Sequence, residues 1–126
     1  MNRTAFKVAG LAIVAFGAIA VTASRAQSKP PGYMIIEYEV TDRAGYQEYL
    51  KASAAVRASG GAGTFLVRGA RGTTLSGEPP KTVAIIQFAS IQEALAFDAS
   101  PEYTALKANR DRSLKWRSFV VEGVGS

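Results

Sequence analysis

Tyr33-Met34-Ile35-Ile36-Glu37-Tyr38-Glu39-Val40, followed at once by Thr41-Asp42 and a long polar-apolar segment to Ser59, decides the fold. The even positions Met34, Ile36, Tyr38 and Val40 are apolar-bodied, while Glu37 and Glu39 share the other side. Side chains alternate across a strand, so this period of two predicts a β-strand with one face on a core. Thr41-Asp42 then offers oxygens to cap a helix start. Tyr46, Tyr49, Leu50, Ser53, Val56 and Arg57 recur at three- and four-residue spacing, which predicts an amphipathic helix over 43–59. Gly60-Gly61-Ala62-Gly63 ends it, because glycine takes up left-handed backbone past a helix C-terminus without steric cost. A phosphate loop is disfavoured: no Gly-Lys-Ser/Thr follows, and these glycines precede a strand instead of a helix.

Working outward, Thr64-Phe65-Leu66-Val67-Arg68 predicts a second strand, bent at Gly69 to Gly72 and continued by Thr73-Thr74-Leu75. Gly77-Glu78-Pro79-Pro80 is a turn, and the nearly unbroken apolar run Thr82 to Phe88 predicts a central strand covered on both faces. Ser90-Ile91-Gln92-Glu93 has the form of a capping box, opening a helix with a buried stripe of Ile91, Ala94, Leu95 and Phe97. Ser100-Pro101-Glu102 restarts a helix whose stripe is Tyr103, Leu106, Arg110 and Leu114, and Trp116 to Glu122 closes the chain with a strand. This order predicts an α+β fold, a ferredoxin-like βαββαβ sandwich with a four-stranded antiparallel sheet, over residues 33–124. Its helix-free sheet face would expose Tyr33, Ile35, Val83, Ile85 and alternate residues of the last strand. Monomers rarely tolerate such a patch, so a homodimer packed sheet on sheet is expected.

The 126 residues contain neither cysteine nor histidine. That excludes disulfides, thiolate nucleophiles, Cys/His metal sites, histidine-ligated haem and Ser-His-Asp triads; no metal or other cofactor is expected. Arg3 and Lys7, an uncharged run from Val8 to Ala23, and the small residues of Ser24-Arg25-Ala26 have the order of a Sec-type signal peptide over 1–26. Its apolar run is short for a membrane anchor, so cleavage before Gln27 and a periplasmic or secreted product free of the membrane are expected, with an uncleaved anchor as the alternative because Arg25 sits inside the cut site. Residues 27–32, with Pro30-Pro31-Gly32, read as a linker. Removal of 1–26 takes away three basic residues and no acid, so the net charge falls from +5 to +2. Five basic residues between Lys107 and Arg117 then suit a solvated helix end better than a nucleic-acid surface, and no nucleic-acid partner is expected.

Asp42 with Tyr46 and Tyr49, Phe65-Leu66-Val67-Arg68-Gly69, Gly77, the run ending at Phe88, Phe97, Ser100-Pro101-Glu102-Tyr103, Arg110 and Val120-Val121-Glu122-Gly123 together resemble the bacterial domain-of-unknown-function 1330 family over about residues 32–124. The resemblance implies a protomer of the dimeric α/β barrel type and no settled activity. Where family members often have His-Gly-Gly, this chain has Gly61-Ala62-Gly63; Ser76 and Gln87 stand where acids are frequent. Three potential proton-transfer groups are therefore missing.

The candidate ligand-binding residues are Glu37, Tyr38, Arg68, Tyr103 and Arg110. Arg68 and Arg110 lie in otherwise apolar patterns, and an arginine directed toward a core needs a carboxylate partner or a ligand anion. Glu37, Asp42 and Glu102 are the internal partners available to them. Glu37 and Glu39 could share acid-base work or could pair with a neighbouring strand, for instance with Arg117. Tyr38, Tyr46, Tyr49 and Tyr103 could line a pocket or serve as core residues with wet tips. Two functions remain open: a homodimeric binder of a small carboxylate-like organic ligand, and a cofactor-independent oxygenase or isomerase in which Glu37 or a tyrosine moves a proton. The second requires Glu37, Tyr38, Arg68 and Arg110 to converge on one cavity.

Overall fold

The structure, a computed structural model, describes residues 29–126; the expected signal peptide (1–26) and the start of the expected linker lie outside the described residues. Eight elements follow in order: β1 (Gly32–Val40), α1 (Arg43–Ala58), β2 (Thr64–Ala70), β3 (Thr82–Phe88), α2 (Ile91–Ala99), α3 (Pro101–Thr104), α4 (Lys107–Ser113) and β4 (Leu114–Glu122). The strands form one antiparallel sheet in the order β2-β3-β1-β4, with β1 and β3 central. This is the expected ferredoxin-like α+β topology.

The period-two pattern of β1 is realised from Met34 to Tyr38, while Val40 at the strand end is 39% exposed. Met34 and Ile36 point under the helices with Ala84, Ile86 and Phe88 of β3, and Ala94, Phe97 and Tyr103 close the core from above. Each large apolar side chain buried there contributes about 1.5–3 kcal/mol. Asp42 accepts from the Ala44 N–H at 3.1 Å, Ser90 from the Glu93 N–H at 3.2 Å and Ser100 from the Tyr103 N–H at 3.3 Å. Each helix start predicted from a capping residue is thus held by that residue's oxygen.

Several boundaries differ, each for a physical reason. Gly32 is already the first residue of β1, pairing with Phe88 and Glu122. A Cβ there would lie 2.6 Å from the Ser90 carbonyl oxygen, so the strand can slide under the start of α2 only as glycine. The helix predicted to carry Tyr103 through Leu114 breaks into α3 and α4, and Leu114 instead starts β4 opposite Val40. The β2 strand stops at Ala70 without continuing through Thr73-Thr74-Leu75; Gly69 has left-handed backbone (φ 62°) and Leu75 is 98% exposed. Leu95 is 54% exposed, because short α2 turns Ala94 and Phe97 into the core and Leu95 away from it. Helices cover only one face of β3, leaving Val83 and Ile85 half-buried on the open face of the protomer, contrary to the expectation of two covered faces.

Register fixes that open face. Val67, Ile85, Ile35 and Phe119 form one row across all four strands, next to a row of Gln87, Tyr33 and Val121. Phe119 and Val121 remain 43% and 40% exposed. One step further along β1, Glu37 and Glu39 pair with Arg117 and Lys115 of β4, so the face is apolar at one end and charged at the other.

Candidate functional site

Helix α1 packs mainly on α4, and large aromatic side chains span the space between α1 and the sheet. Tyr38 of β1 stacks on Trp116 of β4 at 5.9 Å between ring centroids, and Tyr49 of α1 meets the same indole edge-on at 6.0 Å. The phenols pair across the gap: Tyr38 with Tyr46 at 3.0 Å, and Tyr49 with Tyr103 at 2.9 Å. Burial, followed by the neighbouring phenol, pushes the Tyr49 hydroxyl well above the ordinary tyrosine range; burial and the hydrogen bond with Tyr46 do the same to Tyr38. Both are neutral hydroxyls at physiological pH, suited to hydrogen bonding and not to acting as bases.

Arg110 is buried in this cluster. It donates from Nε to Asp111 at 2.8 Å and from Nη1 to Tyr103 at 3.5 Å, and its guanidinium lies 4.7 Å from the Trp116 ring centroid. Burial alone would lower its pKa, but the hydrogen bonds to Asp111 and Tyr103 outweigh that and raise it. Its partner is therefore the adjacent aspartate, and not Glu37, Asp42 or Glu102.

Arg68 is different. It is exposed, lies 4.2 Å from the Phe65 ring centroid, and has no carboxylate partner among the described residues. Arg57 of α1 approaches the same ring at 4.1 Å and donates to the Gly63 carbonyl at 2.9 Å. It also has no ion-pair partner among the described residues, and burial followed by the proximity of Arg68 lowers its pKa. Next along β2, Gly69 is so close to Tyr38 that a Cβ would lie 2.7 Å from the phenol oxygen. The Tyr38–Tyr46 pair therefore stands beside the strand segment that carries Arg68.

Of the five candidates, Tyr103 and Arg110 are in contact, Tyr38 joins them through Trp116, and Arg68 stands on the same, helix-bearing side. Glu37 does not belong with them: it lies on the open face, paired with Arg117. Glu37, Tyr38, Arg68 and Arg110, which the enzyme reading requires on one cavity, do not converge within the protomer. Among the described residues, one cavity of about 400 Å³ lies beside Val56, Gly60, Glu93, Phe97 and Glu102, and another of about 550 Å³ beside Lys29, Ser90 and Gln92. No candidate residue lines either. Sequence reading passed over Arg57, Phe65 and Trp116 as site residues. Arg57 had a signal, since it sits on the apolar stripe of α1 as Arg110 sits on its own; the contact of both arginines with Phe65 depends on packing.

The model of a family described as Domain of unknown function (DUF1330) matches residues 31–124. Among solved structures, a protein of unknown function from Rhodopseudomonas palustris is similar at 17% identity and a TM-score of 0.61, over 79% of this chain and 86% of that one. A dimeric ferredoxin-like protein of unknown function from Thermobifida fusca is similar at 10% identity and 0.54, over 76% and 93%. SnoaB, a cofactor-independent oxygenase from Streptomyces nogalater, is similar at 12% identity and 0.53, over 77% and 96%. No curated protein matches the chain. At these identities the likeness is one of fold.

Proposed function

The chain belongs to the family described as Domain of unknown function (DUF1330), and from that premise, which assigns no activity, we propose that it is an exported homodimer that binds a small organic carboxylate. The observation that carries the reading is Arg68, a guanidinium held over Phe65 without a carboxylate partner among the described residues, on the side of the protomer where phenols and an indole fill the space under α1. An unpaired cation beside aromatic faces and neutral hydroxyls suits an anionic organic molecule. Homodimerisation is supported by the apolar row Val67, Ile85, Ile35 and Phe119, which a second copy would cover, and by the dimeric ferredoxin-like neighbour. Export is supported by the basic, apolar and small-residue order of residues 1–26.

The alternative is a cofactor-independent enzyme of oxygenase or isomerase type, the activity named for SnoaB. Two observations weigh against it. Glu37 is engaged with Arg117 on the opposite sheet face, and burial keeps the Tyr38 and Tyr49 phenols protonated.

Native mass spectrometry of protein purified from the periplasm tests the proposal. A dimer that begins at Gln27 and releases an acidic small molecule on denaturation is expected. A ligand-free monomer at micromolar concentration would overturn it.

A further inference from the structure

We propose that Arg57 and Arg68 form a two-guanidinium clamp around Phe65 that takes the carboxylate of an aromatic acid; this rests on the binding reading above and names its ligand class. Both guanidinium carbons lie about 4 Å from one ring centroid, so they are at most about 8 Å apart. Two like charges held this close repel, and an anion between them relieves the repulsion. Among the described residues, Lys107, Arg110, Lys115 and Arg117 each have an Asp or Glu partner. Arg57 and Arg68 have none there; other unpaired basic residues such as Arg43, Lys51 and Arg112 are exposed, whereas Arg57 is half-buried. Arg57 is also fixed in place, because its guanidinium donates to the Gly63 carbonyl and so ties the end of α1 to the entry of β2. A guanidinium carries five N–H donors, so that bond leaves most of them available to a ligand.

The geometry favours a carboxylate over other anions. Two guanidiniums present flat, paired donors that match the two oxygens of a planar carboxylate. Half-burial of Arg57 against Phe65 favours a singly charged anion with an apolar body over a strongly hydrated phosphate. Aromatic character follows from the neighbouring surfaces. Guanidinium planes that stack on the Phe65 ring can stack on a ligand ring in the same way, and the Tyr38–Tyr46 hydroxyls beside Gly69 stand near for a polar ring substituent.

Calorimetric titration of the purified protein with benzoate, and separately with inorganic phosphate, tests the clamp. Saturable benzoate binding is expected, weakened about ten- to hundredfold by Arg57→Gln or Arg68→Gln, with exposed Arg112→Gln as an unaffected control. Arg68 is exposed and its variant should retain the fold, so the test stands even if loss of the Arg57–Gly63 bond disturbs α1. Tighter binding of phosphate than of benzoate, undiminished benzoate affinity in the double variant, or no benzoate binding by the unaltered protein would each overturn the proposal. An acidic ligand that co-purifies equally with the unaltered protein and the double variant overturns the clamp and leaves the binding reading intact. Absence of any retained ligand together with absence of benzoate binding overturns both.

Discussion

Removing the hydroxyls of Tyr49 and Tyr103 one at a time and then together should give strongly non-additive losses of stability. The two rings are only 6% and 5% exposed, and their oxygens are 2.9 Å apart. In Tyr103→Phe the Tyr49 hydroxyl stays buried and loses its protein partner, and Arg110 loses its bond to Tyr103 as well. Orphaning a buried polar group costs about 1–3 kcal/mol. In Tyr49→Phe the Tyr103 hydroxyl keeps Arg110 at 3.5 Å, longer than a good hydrogen bond, so the loss should be smaller, about 1 kcal/mol. In the double variant both hydroxyls are gone and two phenyl rings fill nearly the same volume, so no phenol is left stranded. Its cost should therefore fall at least about 1 kcal/mol below the sum of the single variants, a difference of about 4–8 °C in Tm for a domain of this size. Urea unfolding followed by the fluorescence of Trp116, the single tryptophan, which touches the Tyr49 ring, provides the measurement. Additivity within about 0.3 kcal/mol would show that the hydroxyls do not depend on each other, and would refute the buried phenol pair.

Gly32→Ala should destabilise the domain by about 1–3 kcal/mol, since the added methyl meets the backbone of Ser90 and Ile91, which cannot rotate away; thermal melts showing no loss would refute the close approach. Stability should fall as pH rises above about 10, where tyrosines of the unfolded chain ionise while Tyr38 and Tyr49, raised by burial, hold their protons in the fold. Ultraviolet titration should show these two ionising only as the protein unfolds, and ionisation of all tyrosines near pH 10 with the fold intact would contradict this. Ile35→Glu places a charge at the centre of the apolar row while leaving the helix-side core untouched, and should convert the proposed dimer to a folded monomer by light scattering. A dimer that persists would mean that a different face forms the interface.

The sequence alone determined the elements and their order, because those depend on interactions between residues close in the chain. The alternation of Met34, Ile36 and Tyr38 set the core face of β1, while Asp42, Ser90 and Ser100 placed the helix starts that their oxygens hold. Local pattern failed where distant packing intervened. The stripe from Tyr103 to Leu114 was continuous on paper, yet the last strand claims Leu114 through its pairing with Val40, and the helix breaks ahead of it. The candidate site divides in the same way. A charged residue in an apolar pattern marked Arg68 and Arg110 as unusual without saying what either would meet. Only the tertiary structure gave Arg110 to Asp111, Tyr103 and Trp116, sent Glu37 to Arg117 on the opposite face, and left Arg68 beside Arg57 on one phenyl ring. The physical reason is that charge compensation is decided by distance in space. Arg57 and Arg68 come from a helix and a strand, and whether a carboxylate comes between them depends on how those two elements pack.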